Sequence, residues 1–155
     1  NLAELYRSQG RYGDAELLYL QSLDIWKRQL DTDNPYVATS LNNLAILYES
    51  RGKYSEAENL AKQALAIYQK VLGSQHHRTK DATFMVKALY VINLLHCDKQ
   101  TLVSILQALA QQANFPELNT ETALAMLEQI ETNPELLSSI QEKLQQQVEA
   151  SDNNT

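Results

Sequence analysis

The segment Asn1-Leu-Ala-Glu-Leu-Tyr6 is written again as Asn43-Leu-Ala-Ile-Leu-Tyr48, and the register holds for a whole unit. Gly10 returns as Gly52, Tyr12 as Tyr54, Ala15-Glu16 as Ala57-Glu58 and Leu18 as Leu60. Leu23 returns as Leu65, Ile25 as Ile67 and Leu30 as Leu72, every pair 42 positions apart. A fixed period of this size marks a repeat array, in which each unit has an apolar face that only a neighbour can bury. Such arrays offer surfaces rather than reaction chambers, so a binding protein is the first expectation.

Within each unit the periodicity is helical. Leu41, Leu44, Ala45, Leu47 and Tyr48 follow the i, i+3, i+4, i+7 spacing of an amphipathic helix. Asn34 is placed to cap its start, with Pro35 in the first turn, where a missing N–H costs nothing. Gly52 ends it, because the residue after a helix favours the left-handed conformation that glycine adopts cheaply. Ser55 and Glu58 predict a capping box for a second helix running to about Leu72 and stopping at Gly73. The first unit repeats the scheme, with Gly10 as the stop and Gly13 or Asp14 near the next start. Each unit is therefore a helix A, a tight Gly-X-Tyr turn and a longer helix B. The small residues Ala15, Ser22, Ala57 and Ala64 fall where the two helices should approach closely.

A third unit begins and then diverges. Val86, Leu89 and Tyr90 keep phase with Leu44, Leu47 and Tyr48, but no Gly-X-Tyr turn follows a helix expected over about 77–96. Phe84, Met85 and Ile92 put apolar groups where earlier units are polar, which calls for a cover from the C-terminal helices. After Cys97 the composition shifts. All eight tyrosines and all four glycines precede it, and residues 98–155 carry two lysines against nine acids, a balance of −7. Three helices are expected there. The first, about 99–113, has the stripe Leu102, Ile105, Leu106, Leu109 and Ala110. The second, about 120–131, is capped by Asn119 and striped by Ala123, Leu124, Leu127 and Ile130. The third, about 134–149, is capped by Asn133 and striped by Leu137, Ile140, Leu144 and Val148. Residues 151–155 read as a disordered tail. The expected organisation is thus an array over 1–97, with repeats at about 1–34 and 35–76 and a partial one at 77–97. An acidic, glutamine-rich three-helix segment over 98–150 follows it.

Gly-X-Tyr, then Ala-Glu, then Ala-Leu-X-Ile resembles the tetratricopeptide repeat. The longer unit, Ser40-Leu-Asn-Asn-Leu-Ala-Ile-Leu-Tyr48 with Gly52-Lys-Tyr-Ser-Glu-Ala-Glu58 and Ala64-Leu-Ala-Ile-Tyr-Gln-Lys-Val-Leu-Gly73, is similar to the kinesin-light-chain subtype. The resemblance covers about residues 1–90. It implies an all-α superhelix of helical hairpins, two full repeats and a degenerate third, with the C-terminal helices as a capping segment. It also implies a concave groove lined by the A helices, where a peptide or protein segment binds. Carried over by position, the groove set is Asn1, Glu4, Arg7 and Ser8 in the first unit. In the second it is Thr39, Asn42, Asn43, Ile46, Glu49 and Ser50. An asparagine offers one acceptor and two donors, which suit the backbone of a ligand whatever its side chains. Arg7 and Glu49 would select charge.

Other classes of function find little here. Two histidine-containing pairs, His76-His77 and His96-Cys97, flank one helix of about twenty residues. Its ends lie about 30 Å apart, too far to share an ion, so no metal or cofactor is expected. His76 reads as a turn residue and Cys97 as a small apolar filler. No phosphate loop, paired carboxylates or activated nucleophile is present, so the chain is not expected to be an enzyme. An acidic chain without a basic stripe argues against nucleic acid and anionic membranes, and the single cysteine suits the cytoplasm. A second reading makes the chain a regulatory or oligomerisation segment of a larger signalling protein. The C-terminal helices would then fill the groove or self-associate through residues 98–150. A third makes it the sensor half of a transcription regulator.

Overall fold

The computed structural model describes residues 2–113 and 118–152, with side chains to residue 150. Eight helices occupy the described residues: α1 (Leu2–Ser8), α2 (Tyr12–Gln29), α3 (Pro35–Ser50), α4 (Tyr54–Leu72), α5 (His77–Leu95), α6 (Lys99–Gln112), α7 (Thr120–Thr132) and α8 (Pro134–Asp152). They form two compact units, Asn1–Asn93 and Leu94–Thr155. None is long and apolar enough to cross a membrane.

In the first unit, local chemistry sets most helix ends. Asn34 Oδ1 accepts from Tyr36 N–H at 2.9 Å, with Pro35 opening α3 as expected. The two Gly-X-Tyr turns are copies of one another. Arg11 N–H reaches the Tyr6 carbonyl at 2.9 Å and Lys53 N–H the Tyr48 carbonyl at 2.9 Å, each across a glycine at φ near +70°. The basic side chain at the X position then lies over the preceding tyrosine ring, Arg11 on Tyr6 at 4.2 Å and Lys53 on Tyr48 at 5.5 Å. His76 closes the start of α5, its Nδ1 accepting from Arg78 N–H at 3.2 Å. Helix α5 stops at Leu95, one residue before the expected end, because His96 takes a left-handed φ of 50°.

The expected capping box at Ser55 is not formed. Helix α4 begins earlier, at Tyr54, behind Lys53 with no side-chain cap, and Glu58 points to the next hairpin instead. Helix α2 behaves alike, starting at Tyr12 without a side-chain cap, while Arg11 pairs with Asp14.

The buried seam explains the sequence repeat. Ala15, Ala57, Ala61 and Ala64 are fully buried, so helices approach where larger residues would hold them apart. One cluster joins Ala3, Ala15, Tyr19, Leu23, Val37, Ala38, Leu41, Leu44, Leu47, Ala64, Tyr68 and Ala82, running through α1 to α5. A second joins Ala45, Ala57, Ala61 and Leu89, with Met85 and Val86 packed against it. Met85, expected on the open face, therefore turns partly toward α3 and α4, where a polar group in its place would lose its water. Trp26 stacks on Tyr36 of the following repeat, centroids 5.2 Å apart.

Between repeats runs a polar latch that also has the 42-residue period. Glu16 on α2 accepts from Tyr48 Oη and from an Arg51 guanidinium N–H, both at 2.6 Å. Its counterpart Glu58 on α4 accepts from Asn93 Nδ2 at 2.6 Å, and Asn93 is the residue 42 places after Arg51.

The second unit is more loosely built. Asp98 caps α6 by accepting from Thr101 N–H at 2.7 Å. Asn119 and Thr122 form a capping box for α7, and Asn133 Oδ1 accepts from Glu135 and Leu136 N–H at 3.1 Å each to start α8. Helix α7 buries Ala123, Met126, Leu127 and Ile130 and contacts both α6 and α8. Of the described side chains of α8 only Ile140 is buried, whereas Val148, expected on its inner stripe, is 61% exposed. Helix α8 continues to Asp152, two residues into the expected tail, and residues 153–155 lie outside those described.

Two stability predictions follow from equivalent positions. Leu47 is fully buried, while Leu5, its partner one repeat earlier, is 51% exposed. Leu47→Ala should cost about 2–5 kcal/mol in urea unfolding and Leu5→Ala less than about 1 kcal/mol. For the latch, the Tyr48 hydroxyl, opposed by burial and aided by Arg51, holds the Glu16 carboxyl below its ordinary value of 4.5. A carboxyl lowered in the folded state stabilises fully above its unfolded value, and that stabilisation is lost as pH falls through the folded value. Glu16→Gln should therefore be less stable than the parent at neutral pH. The gap should close as the solution is acidified below about pH 4.5, as urea melts across that range would read.

Candidate functional site

The A-helix face singled out by sequence is the less buried stripe of α3. Thr39, Asn42, Asn43, Ile46 and Ser50 recur at helical spacing on one side, while Val37, Ala38, Leu41, Leu44, Ala45 and Leu47 bury the other. Glu49 borders the stripe, half-buried like Asn42, Asn43 and Ile46. On α1 the matching positions are Glu4, Arg7 and Ser8, and Asn1 lies outside the described residues.

Hydrogen bonding separates these residues into two groups. The hydroxyls are spent on nearby partners. Ser8 Oγ donates to the Leu5 carbonyl at 2.8 Å and Ser50 Oγ to the Ile46 carbonyl at 2.9 Å. Thr39 Oγ1 donates to the Pro35 carbonyl at 2.9 Å and meets Tyr68 Oη at 2.9 Å, so it ties α3 to α4. The carboxamides are not spent. Among the described residues, neither Asn42 nor Asn43 has a side-chain partner. Each keeps two donors and one acceptor half-withdrawn from water.

The charged members form a compensated cluster. Arg7 pairs with Glu4, which also accepts from Tyr19 Oη at 3.0 Å. The Arg7 hydrogen bond, then that of Tyr19, holds the Glu4 carboxyl below its usual range. Burial and the adjacent carboxylate push the Tyr19 hydroxyl up to about 12. Arg7 is raised by its bond to Glu4, and the charge of Glu49, one repeat further on, adds to the effect. Glu49 is itself engaged. The sequence placed Arg7 and Glu49 as separate selectors, but Arg7 is already paired with Glu4, and the charge of Glu49 also acts on it. Among the described residues, the Arg7 Nε is buried without a partner.

The remaining candidate chemistry is structural. His76 and His77 stack at 4.4 Å, and no group of three or more His, Cys, Asp or Glu gathers among the described residues. Cys97 is half-buried, and burial pushes its thiol up, away from the reactive thiolate.

Period, hairpin geometry and paired glycine turns all describe one kind of repeat. Residues 1–70 match the tetratricopeptide repeat family. The fold is an all-α helical repeat array of tetratricopeptide type. Repeats of this family generally mediate protein–protein interaction and are typically scaffolds without catalytic activity. No curated protein matches the chain.

What sequence reasoning missed lies between repeats. Glu58 was read as a capping residue, yet it accepts from Asn93, 35 positions away, and its counterpart Glu16 has partners 32 and 35 positions away. The signal available was the periodicity of the Glu16 and Glu58 pair, set against their position after helix starts with no side-chain cap. If the Arg7 cluster is as closed as its bonds imply, Glu4→Gln should free Arg7 and lower the Tyr19 pKa from about 12. Ultraviolet titration of the tyrosines would detect the shift.

Proposed function

We propose that the tetratricopeptide array binds an extended peptide or protein segment along the A-helix face, with Asn42 and Asn43 holding the ligand backbone. The carrying observation is the pair of half-buried carboxamides, without side-chain partners among the described residues, on the less buried stripe of α3, beside hydroxyls already consumed. Amides fixed on a helix lose little freedom when a ligand arrives, so their hydrogen bonds count toward affinity. Ile46 adds an apolar contact between them and the next turn. Glu4, Arg7 and Glu49 together carry one negative charge, which favours a neutral or basic side chain nearby over an acidic one.

The 42-residue period supports the kinesin-light-chain-like form of the repeat. Groove residues Asn1, Glu4, Arg7, Ser8, Thr39, Asn42, Asn43, Ile46, Glu49 and Ser50 remain the proposed lining, with Asn42 and Asn43 as its principal donors. Thr39, Ser8 and Ser50 contribute shape through their positions rather than free hydroxyls. A cytoplasmic scaffold is the setting this reading favours.

A panning experiment tests it. Extended peptides displayed on phage are selected against the full chain, and the best are synthesised and titrated. Asn42→Leu and Asn43→Leu should each weaken binding about tenfold, the effect of roughly 1.4 kcal/mol, while the melting temperature holds. Unchanged affinity in both variants would refute the reading.

A further inference from the structure

Helices α6 and α8 both pack on α7 but leave a gap between themselves. Three cavities line up along that gap and share walls. The middle one, about 370 Å³, lies between Ile105 and Leu109 of α6 and Leu136, Ile140 and Leu144 of α8. It shares Thr101, Leu144 and Gln147 with a wider opening of about 720 Å³ that reaches Val148. At the other end it shares Leu109, Gln112 and Leu136 with a cavity of about 320 Å³ floored by Met126 of α7. The result is one groove with an apolar floor and a rim of Thr101, Ser104, Gln112, Ser139, Lys143 and Gln147.

From this geometry we infer that the groove in the Leu94–Thr155 unit is a docking site for a basic amphipathic helix of a partner protein. Two helices that pack on a shared third leave apolar faces open beside it, and a docked helix would complete a four-helix packing. The walls extend from Thr101 to Gln112 and from Leu136 to Val148. At 1.5 Å per residue that length suits a helix of roughly 12–14 residues. Ile105, Leu109, Leu136 and Leu144, all half-buried, await an apolar stripe at i, i+3, i+4 and i+7.

Charge selects the occupant. Residues 98–155 hold two lysines and nine acids, so two copies of this unit would meet at −7 each. Self-association through the groove would set these like charges together, whereas a basic helix is drawn in and oriented. Asp98 borders the wider opening, where it can meet a lysine at one end of the docked helix. Glu135, Glu142 and Glu149, exposed on the side of α8 away from Ile140, add only to the field that draws a basic segment in. Lys143 is the one cation on the rim, so a single acid in the partner's stripe at that level would improve the fit.

The experiment uses the full chain and a fluorescein-labelled 14-residue peptide with leucine at helix-stripe positions and lysine elsewhere. Its control is an isomer of identical composition whose leucines do not fall on one face. Anisotropy titrations at physiological salt should show micromolar binding of the amphipathic peptide and at least about tenfold weaker binding of the isomer. Ala108→Trp, which fills the groove from an exposed position, should weaken binding about tenfold, and Ser104→Trp on the same wall should do the same. Equal binding of the isomer would reduce the effect to bulk charge and overturn the inference. So would unchanged affinity in both tryptophan variants, or a dimer in sedimentation that Ala108→Trp dissociates.

Discussion

Close approach of helices at alanine is the constraint on which the first unit rests. Ala15, Ala57, Ala61 and Ala64 carry only a methyl group, so the backbones of neighbouring helices can draw together. The large residues Leu44, Leu47 and Leu89 are then buried beside them. Only at that separation does the carboxylate of Glu16 meet Tyr48 and Arg51 on the next hairpin. The apolar seam supplies the driving force, and the latch fixes the register between hairpins.

Much of this architecture was readable because it is local. Asn34, Asn119 and Asn133 cap helices through the backbone N–H groups two or three residues on, and Gly10 and Gly52 end helices through their own φ. No distant partner alters such choices. The failures are equally instructive. Glu58 followed Ser55 at capping-box spacing, but a residue 35 positions away offered it a better use. Asp98 was counted only as charge, although it caps α6. Met85 was assigned to the open face by register, whereas apolar groups on α3 and α4 draw it inward.

The candidate site divides in the same manner. Side-chain type identified Asn42 and Asn43 as recognition groups, and their amides are unpaired among the described residues. For serine and threonine, type was not enough. Ser8, Thr39 and Ser50 could bond either a ligand or their own helix, and the carbonyl one turn back is always in reach. Arg7 shows the other limit of pattern reading: it was read as a charge selector, yet Glu4, one turn back on its own helix, already pairs with it. In the second unit the stripe Leu137, Ile140, Leu144 and Val148 marked an inner face of α8, yet apolar periodicity states only which face seeks cover. It does not state that the chain itself provides the cover.

The two latches differ in their donors. The junction at Glu16 is held by a guanidinium, a full positive charge, whereas the junction at Glu58 is held by the neutral amide of Asn93. Mobile ions screen attraction between whole charges far more than they weaken a bond from a dipole. Electrolyte therefore acts unevenly along the array, loosening the joint between the first and second hairpins before the joint that follows. A chain built from repeated modules thus has a direction written into its seams.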